Sequence, residues 1–322
     1  MGASITYYDD PRTETTTTEA PNMPYIPFKV LKLLAMILHA FYSLIYPKYS
    51  KHGQRKMTIP QKLTLITIAQ AFGFTYRDIP LIAEDLRDIL KLRRITTFQN
   101  FNDFANRIKP REIQEAIEFS AAIIIRLSNT KERIILIDST GFQIMDASSY
   151  YNHRAQKAAD FFKLHVVMDL ATRAIILATP SDRYYHDSNP LKSYFIDELA
   201  KLSRELGFRI KVVSADSAYS SNEVYKRIKE ELRAIPAIKP SKGCGNPRRG
   251  LKALFWRIRN LPWFRRYANL RWVLEAMFKV FKRLFGWFVR GKSQESRANE
   301  VLFKALAWNI MLLLIALASR VT

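Results

Sequence analysis

Arg133-Ile-Ile-Leu-Ile-Asp138 is a short, β-branched apolar run closed by a carboxylate, and Ile210-Lys-Val-Val-Ser-Ala-Asp216 is its counterpart further along the chain. Runs of this kind read as buried strands. An aspartate ending each one predicts two acids held at the rim of a sheet, where open α/β sheets place their ligands. A third acid, Glu275, lies inside a strongly basic amphipathic segment.

The sequence around these runs sets the order of elements. After the first strand come Phe162-Lys-Leu-His-Val-Val-Met-Asp169 and Arg173-Ala-Ile-Ile-Leu-Ala-Thr179. Only Leu170-Ala-Thr172 separates them, which suits an antiparallel hairpin. Asp187 to Leu206 reads as a helix, with Asp187 or Ser188 as cap, Pro190 in the first turn and Gly207 at the end. The strand ending at Asp216 follows, then a helix from Asn222 to Leu232 and a short strand over Ala234–Ile238. A meander of three strands followed by alternating helix and strand is the order of an α/β, ribonuclease H-like mixed sheet flanked by helices, and periodicity alone leaves another mixed α/β fold open. This domain, with its basic C-terminal helices, is expected over residues 130–322.

Upstream, residues 1–25 are polar, Thr-rich and interrupted by Pro11, Pro21 and Pro24, the composition of a disordered tail. Residues 26–129 read as a small all-helical region in which Pro60, Pro80 and Pro110 punctuate apolar-periodic segments. Phe74 through Leu92 to Phe104 fits a helix-turn-helix-like unit, which gives this region a DNA-binding reading, and any small helical bundle reads the same way.

The 322 residues carry 51 Lys and Arg against 29 Asp and Glu, a formal charge of +22. That excess points to a polyanionic partner, nucleic acid or an anionic membrane surface. Sixteen of the cations and only three acids, Glu275, Glu295 and Glu300, lie between Ser241 and Lys304, so the charge is concentrated around the third carboxylate. Cys244 is the only cysteine, which excludes a disulfide within the chain and argues against Cys-rich zinc sites. With no secretory leader, the setting expected is cytoplasmic and nucleoid-associated. Val30–Tyr46 and Ala305–Ser319 are apolar but fall short of the about 20 residues a membrane span needs; the second is expected to be a buried core helix, and no membrane partner is expected.

Three carboxylates from separate elements suit metal-dependent phosphoryl transfer. Two divalent ions about 3.5–4 Å apart can align a hydroxyl nucleophile opposite a leaving oxygen and neutralise the developing charge, and magnesium takes hard oxygen ligands of this kind. Asp138 is the natural bridging ligand. At about 100° per residue, Glu275 lies about 40° from Arg271 and Lys282 about 20° beyond Glu275. The three share a stripe, outside which fall Val273, Leu274, Met277, Phe278, Val280, Phe281, Leu284 and Phe285. Glu275 can equally be an ordinary salt-bridged surface residue between Arg271 and Lys279.

The ordered set Tyr267, Arg271, Glu275 and Lys282 resembles the Tyr-Arg-Glu-Lys signature of DDE transposases from bacterial and archaeal insertion sequences of the groups numbered four and five. Ile137-Asp-Ser-Thr140 is similar to that family's first-aspartate motif, Ala215-Asp-Ser-Ala-Tyr219 to its second, and His186-Asp-Ser-Asn-Pro-Leu191 to the helix entry between them. The likeness spans about residues 130 to 310. It departs in leaving three residues rather than two between Tyr267 and Arg271. It implies catalysis by Asp138, Asp216 and Glu275 with two Mg2+, for which Mn2+ can substitute. It further implies cleavage at insertion-sequence ends, strand transfer of the freed 3′ hydroxyl into target DNA, and a homodimer on paired terminal inverted repeats. Arg271 and Lys282 would contact the strand, Tyr267 a displaced nucleotide, and Lys279, Arg248 and Arg249 the backbone. The rival readings are a non-enzymatic basic protein that binds nucleic acid or membrane, and a related nuclease without strand transfer.

The remaining polar residues carry plainer expectations. His165 reads as a packed core histidine and Asp169 as a turn former, and Asp146, His153 and Asp187 have no spacing that requires metal. Gly243, Gly245 and Gly250 with Lys242, Arg248 and Arg249 form a basic loop lacking the ending of a phosphate-cradling P-loop. Trp256, Trp263, Trp272 and Trp287, interleaved with basic residues, are expected mostly in the core.

Overall fold

The computed structural model describes residues 28–46, 57–144, 161–182, 190–240 and 250–318. The tail expected at residues 1–25 lies outside them. Five helices come first: α1 (Phe28–Ile45), α2 (Ile59–Ala71), α3 (Ile79–Asp85), α4 (Phe98–Arg107) and α5 (Pro110–Leu127). Pro60 and Pro110 sit in first turns, and Thr58 with Gln61 closes a reciprocal cap on α2. Residues 86–97 separate α3 from α4, far longer than the three- to four-residue turn of a helix-turn-helix. That expectation is therefore corrected.

The sheet follows as β1 (Glu132–Ile144), β2 (Phe161–Asp169) and β3 (Ile175–Asp182), then β4 (Arg209–Ala215), β5 (Ile235–Ile238) and a short β6 (Phe288–Val289). A π turn over Leu191–Phe195 leads into α6 (Ile196–Leu206), which ends on Gly207 at φ 67°, a left-handed conformation that glycine adopts without steric cost. The remaining helices are α7 (Asn222–Glu230), α8 (Gly250–Ile258), α9 (Pro262–Ala268), α10 (Arg271–Phe285) and α11 (Gln294–Ala318). The strand order is β3-β2-β1-β4-β5, with β2 antiparallel to β1 and β3, and β4 parallel to β1 and β5. This is the ribonuclease H-like order anticipated from the sequence.

One expectation about β1 fails. Asp138 does not end the strand, which runs six residues further to Ile144 because β2 continues to pair with it as far as Gln143↔Phe161 and β6 joins it at Gln143↔Phe288. What does end near Asp138 is the parallel partner β4, whose last ladder pair is Ile137↔Ala215.

Side chains alternate across the sheet. Ile135 and Ile137 bury into a layer with Leu199 of α6, Val224 of α7 and Phe264 of α9, whereas Leu136 and Phe142 join Leu274, Phe281 and Leu306 on the opposite face. That second cluster runs without a break into Leu38, Ile66 and Ile117 of the N-terminal helices. Helix α11 lies at its centre. By length and composition alone Gln294–Leu317 would cross a membrane, but its Asn309 is fully buried and bonded at both ends: Oδ1 accepts from Ile175 N (2.9 Å), and Nδ2 donates to Ile175 O (2.8 Å) and Ser120 Oγ (3.0 Å). A side chain so placed belongs to a protein core.

Candidate active site

The parallel register that pairs Ile137 with Ala215 brings Asp138 and Asp216 out side by side where β4 stops. Each carboxylate is steadied by the next amide: Asp138 Oδ1 accepts from Ser139 N (2.8 Å) and Asp216 Oδ1 from Ser217 N (2.5 Å). Asp138 occupies an even position on β1, so it faces the layer that contains α10. That helix buries Val273, Leu274, Met277, Phe278, Phe281 and Phe285, which fixes the rotation at which Glu275 stands half-exposed. Val280, expected in the apolar arc, is exposed, because it falls at the solvent edge beside Lys279.

Arg271 organises the acids. Its Nη1 lies 2.5 Å from Asp216 Oδ1 and its Nη2 2.6 Å from Glu275 Oε1. The bland expectation for Glu275, a salt bridge one turn away, is thus real, yet the same guanidinium also reaches the second strand acid. Asp138 feels all three. Burial above all, with Asp216 and Glu275, pushes its carboxyl up while the Ser139 amide and Arg271 pull it back, leaving it raised to about 6.

Among the described residues no three metal-binding side chains close on one point as they stand, since Arg271 lies between two of the acids. The donor set nevertheless fits a hard divalent cation: it is all oxygen, and three carboxylates face one guanidinium while the most buried of them resists ionising. Added positive charge would relieve that imbalance.

The other expected residues divide. Lys282, two turns beyond Glu275, is half-buried with Nζ 5.2 Å from the Trp287 ring centre and 5.5 Å from that of Phe142. Lys279 is exposed on α10. Tyr267 belongs to α9, and the turn through Asn269 and Leu270 interrupts the helix before α10 begins. Leu270 N bonds to Tyr267 O and Trp272 N to Asn269 O, so a continuous helical wheel does not carry Tyr267 into the stripe. Arg248, Arg249, Lys242, Gly243, Gly245, Asp146, His153 and Asp187 lie outside the described residues.

Trp263, Trp272 and Trp287 are exposed and Trp256 is half-buried beneath Arg259, whereas Trp308 is buried. Core packing is therefore the wrong expectation for all four interleaved tryptophans; they sit on helix faces or turns opposite the apolar arcs. His165 is buried with Nε2 2.8 Å from Ser181 Oγ. Asp169 is a turn former, accepting from Thr172 N and Oγ1, but it also forms a buried pair with Arg133 at 2.7 Å. The clue to that pair was an arginine heading an otherwise apolar strand.

Residues 129–310 match the transposase DDE domain family. A probable transposase for insertion sequence element ISA1214 of Archaeoglobus fulgidus is 25% identical over 174 residues, 53% of this chain and 51% of the relative, so the chain spans about half the length of that relative. A Drosophila P element transposase strand transfer complex shares 13% identity over 63% of this chain and 42% of its own, at a TM-score of 0.24, too low to bear on the fold.

Proposed function

With more than half of its residues matched, the chain belongs to the transposase DDE domain family, and from that premise we propose that it is a DNA transposase whose catalytic acids are Asp138, Asp216 and Glu275. Water attacks a phosphodiester at an insertion-sequence end, a P–O bond forms as another breaks, and a 3′ hydroxyl is released. That hydroxyl attacks a target-DNA phosphodiester and frees a second 3′ hydroxyl in exchange. The observation that carries the reading is the pairing of Asp216 and Glu275 on one guanidinium, Arg271, with Asp138 set beside Asp216 by the parallel register.

Asp138 and Asp216, oriented by the Ser139 and Ser217 amides, and Glu275 would hold two Mg2+, with Mn2+ able to substitute. When bound, these ions supply positive charge to the attacking and leaving oxygens. Arg271, freed from the acids it pairs with, turns to the scissile or flanking phosphate, and Lys282 holds the same strand further along α10. Lys279, Arg248 and Arg249 add backbone contacts whose strength falls with salt. Terminal inverted repeats and target DNA are the partners, a homodimer on paired ends is the working assembly, and the setting is the nucleoid-associated cytoplasm.

Asp138→Asn, Asp216→Asn and Glu275→Gln should each abolish magnesium-dependent cleavage of inverted-repeat DNA while binding persists. Cleavage retained by any one removes that residue from the site. Joined donor and target DNA is the expected product; cleavage without joining would make the protein a nuclease.

A further inference from the structure

Helix α1 presents an apolar face to solvent. Between residues 31 and 46 every exposed side chain is apolar: Leu33, Met36, Ala40 and Leu44. At about 100° per residue and about 1.5 Å of rise, the four fall within an arc of about 80° along about 16 Å of helix. Leu33, Met36 and Leu44 are 51%, 56% and 69% exposed. The opposite side is packed, with Leu34, Ala35, Leu38 and Tyr42 in the core. One flank continues the apolar surface through Phe41 to Phe119 of α5, which is 41% exposed and whose ring centre lies 5.5 Å from that of Phe41. The other flank is polar, formed by half-buried Lys32, His39 and Ser43, the last donating to His39 O (2.7 Å).

A contiguous exposed apolar strip marks a binding surface, and its chemistry narrows the occupant. Without charge along it, the strip offers nothing to nucleic acid, which proteins hold through cations and polar groups. A helix lying on a membrane carries Lys and Arg on its polar side, whereas the inner side of α1 is apolar and packed. Nor does the strip cross a bilayer, whose apolar layer is about 30 Å thick. It is complementary to itself. Laid antiparallel about a twofold axis near residue 38, two copies set Leu33 opposite Leu44 and Met36 opposite Ala40. A long side chain then meets a methyl near the middle, and leucine meets leucine at both ends. A twofold contact requires one patch to fit its own copy in this way. Each chain also carries a formal charge of +22, so two copies repel, and an uncharged face is where they can meet.

We propose that α1 is the contact between two copies of this chain, joined antiparallel about a twofold axis through Leu33, Met36, Ala40 and Leu44, with Phe119 at its margin. The proposal rests on the reading of the working assembly as a homodimer and names the surface that makes it. Because the charges repel and the contact is apolar, added salt should strengthen this dimer, the reverse of its effect on DNA binding.

Sedimentation velocity of the full chain without DNA, over a concentration series, measures the dimer. Wild type should sediment as a dimer, and Leu33→Glu and Leu44→Lys, each placing a charge in both halves of the contact, should each weaken self-association by about thirtyfold or more. Circular dichroism of both should match wild type, since the replaced side chains are more than half exposed. The double variant Leu33→Glu/Leu44→Lys sets Glu opposite Lys only when the copies are antiparallel, and it should dimerise more tightly than either single variant. A double variant no tighter than the singles overturns the antiparallel pairing. Undiminished dimerisation of both single variants overturns the α1 surface and leaves a homodimer standing. A monomeric wild type overturns both, and if that monomer floats with anionic vesicles while Leu33→Glu does not, the strip belongs to a membrane. Cleavage of inverted-repeat DNA, compared between wild type and Asp138→Asn, reads the transposase function separately from the dimer.

Discussion

Arg133 and Arg271 each bind an aspartate beside the same sheet, at opposite ends of the β1–β4 ladder, and the two arrangements differ in what they leave exposed. Arg133 and Asp169 are 1% and 0% exposed. Arg133 Nη2 also donates to Ile125 O, Ser128 Oγ and Thr130 O, tying the end of α5 to β1, while Asp169 Oδ2 closes the β2–β3 turn through Thr172. Both side chains are sealed from solvent. Arg271, Asp216 and Glu275 are 35%, 37% and 48% exposed, and the guanidinium is shared between acids whose remaining oxygens face an open rim. The same residue types make a rivet where burial is complete and a half-exposed pair, which the proposed function requires to be exchangeable, where it is not.

The largest effect expected from breaking this contrast is on chemistry: the three acid-to-amide variants lose cleavage, yet the thermal midpoints of Asp216→Asn and Glu275→Gln should stay near wild type, since no buried pair is broken. Next in size, Asp169→Ala or Arg133→Ala should lower unfolding free energy by about 3–5 kcal/mol, the cost of stranding one partner of a buried pair, as read by urea denaturation. A loss below about 1 kcal/mol would place that pair with the surface type.

A smaller effect concerns pH. Asp138 is raised from 3.8 to about 6 in the folded protein, so between those values the native state holds more protons than the unfolded one and stability falls as pH rises. The contribution is fully present below about 4 and lost as pH passes about 6. In chelator, Asp138→Asn should flatten that part of the stability profile; an unchanged slope would mean that the carboxyl is not desolvated. Smallest of all, Arg271→Ala should change stability by no more than about 1 kcal/mol, because half-exposed pairs contribute little. A loss comparable with that of Arg133→Ala would erase the distinction between the two sites.

Much of the fold was legible because its strands announce themselves by period and length. Phe162–Asp169 and Ile210–Asp216 were each placed within a residue of the observed β2 and β4, and Gly207 ended its helix as expected. The extent of β1 was not legible: Ser139, Thr140 and Gly141 look like a turn in isolation, and only pairing with β2 keeps them extended. The break that follows Tyr267 was not legible for a related reason. Ala268, Asn269 and Leu270 carry no proline or glycine, so the interruption between α9 and α10 comes from packing: Phe264 and Ala268 bury with the layer of Ile137, whereas Leu274 and Phe281 bury with that of Phe142. The tryptophans were misplaced because composition cannot tell which side of a helix the core lies on.

By itself the sequence determined the order of strands and helices, the basic C-terminal surface and the three acids with their flanking cations, since these follow from periodicity, charge and local spacing. The tertiary structure decided which face Asp138 presents, that Arg271 stands between Asp216 and Glu275, that Asp169 is locked while Asp216 is open, and that Lys282 lies against the Trp287 ring. Each of those depends on strand register and on which helix face is buried, and both are set by contacts between residues far apart in the chain.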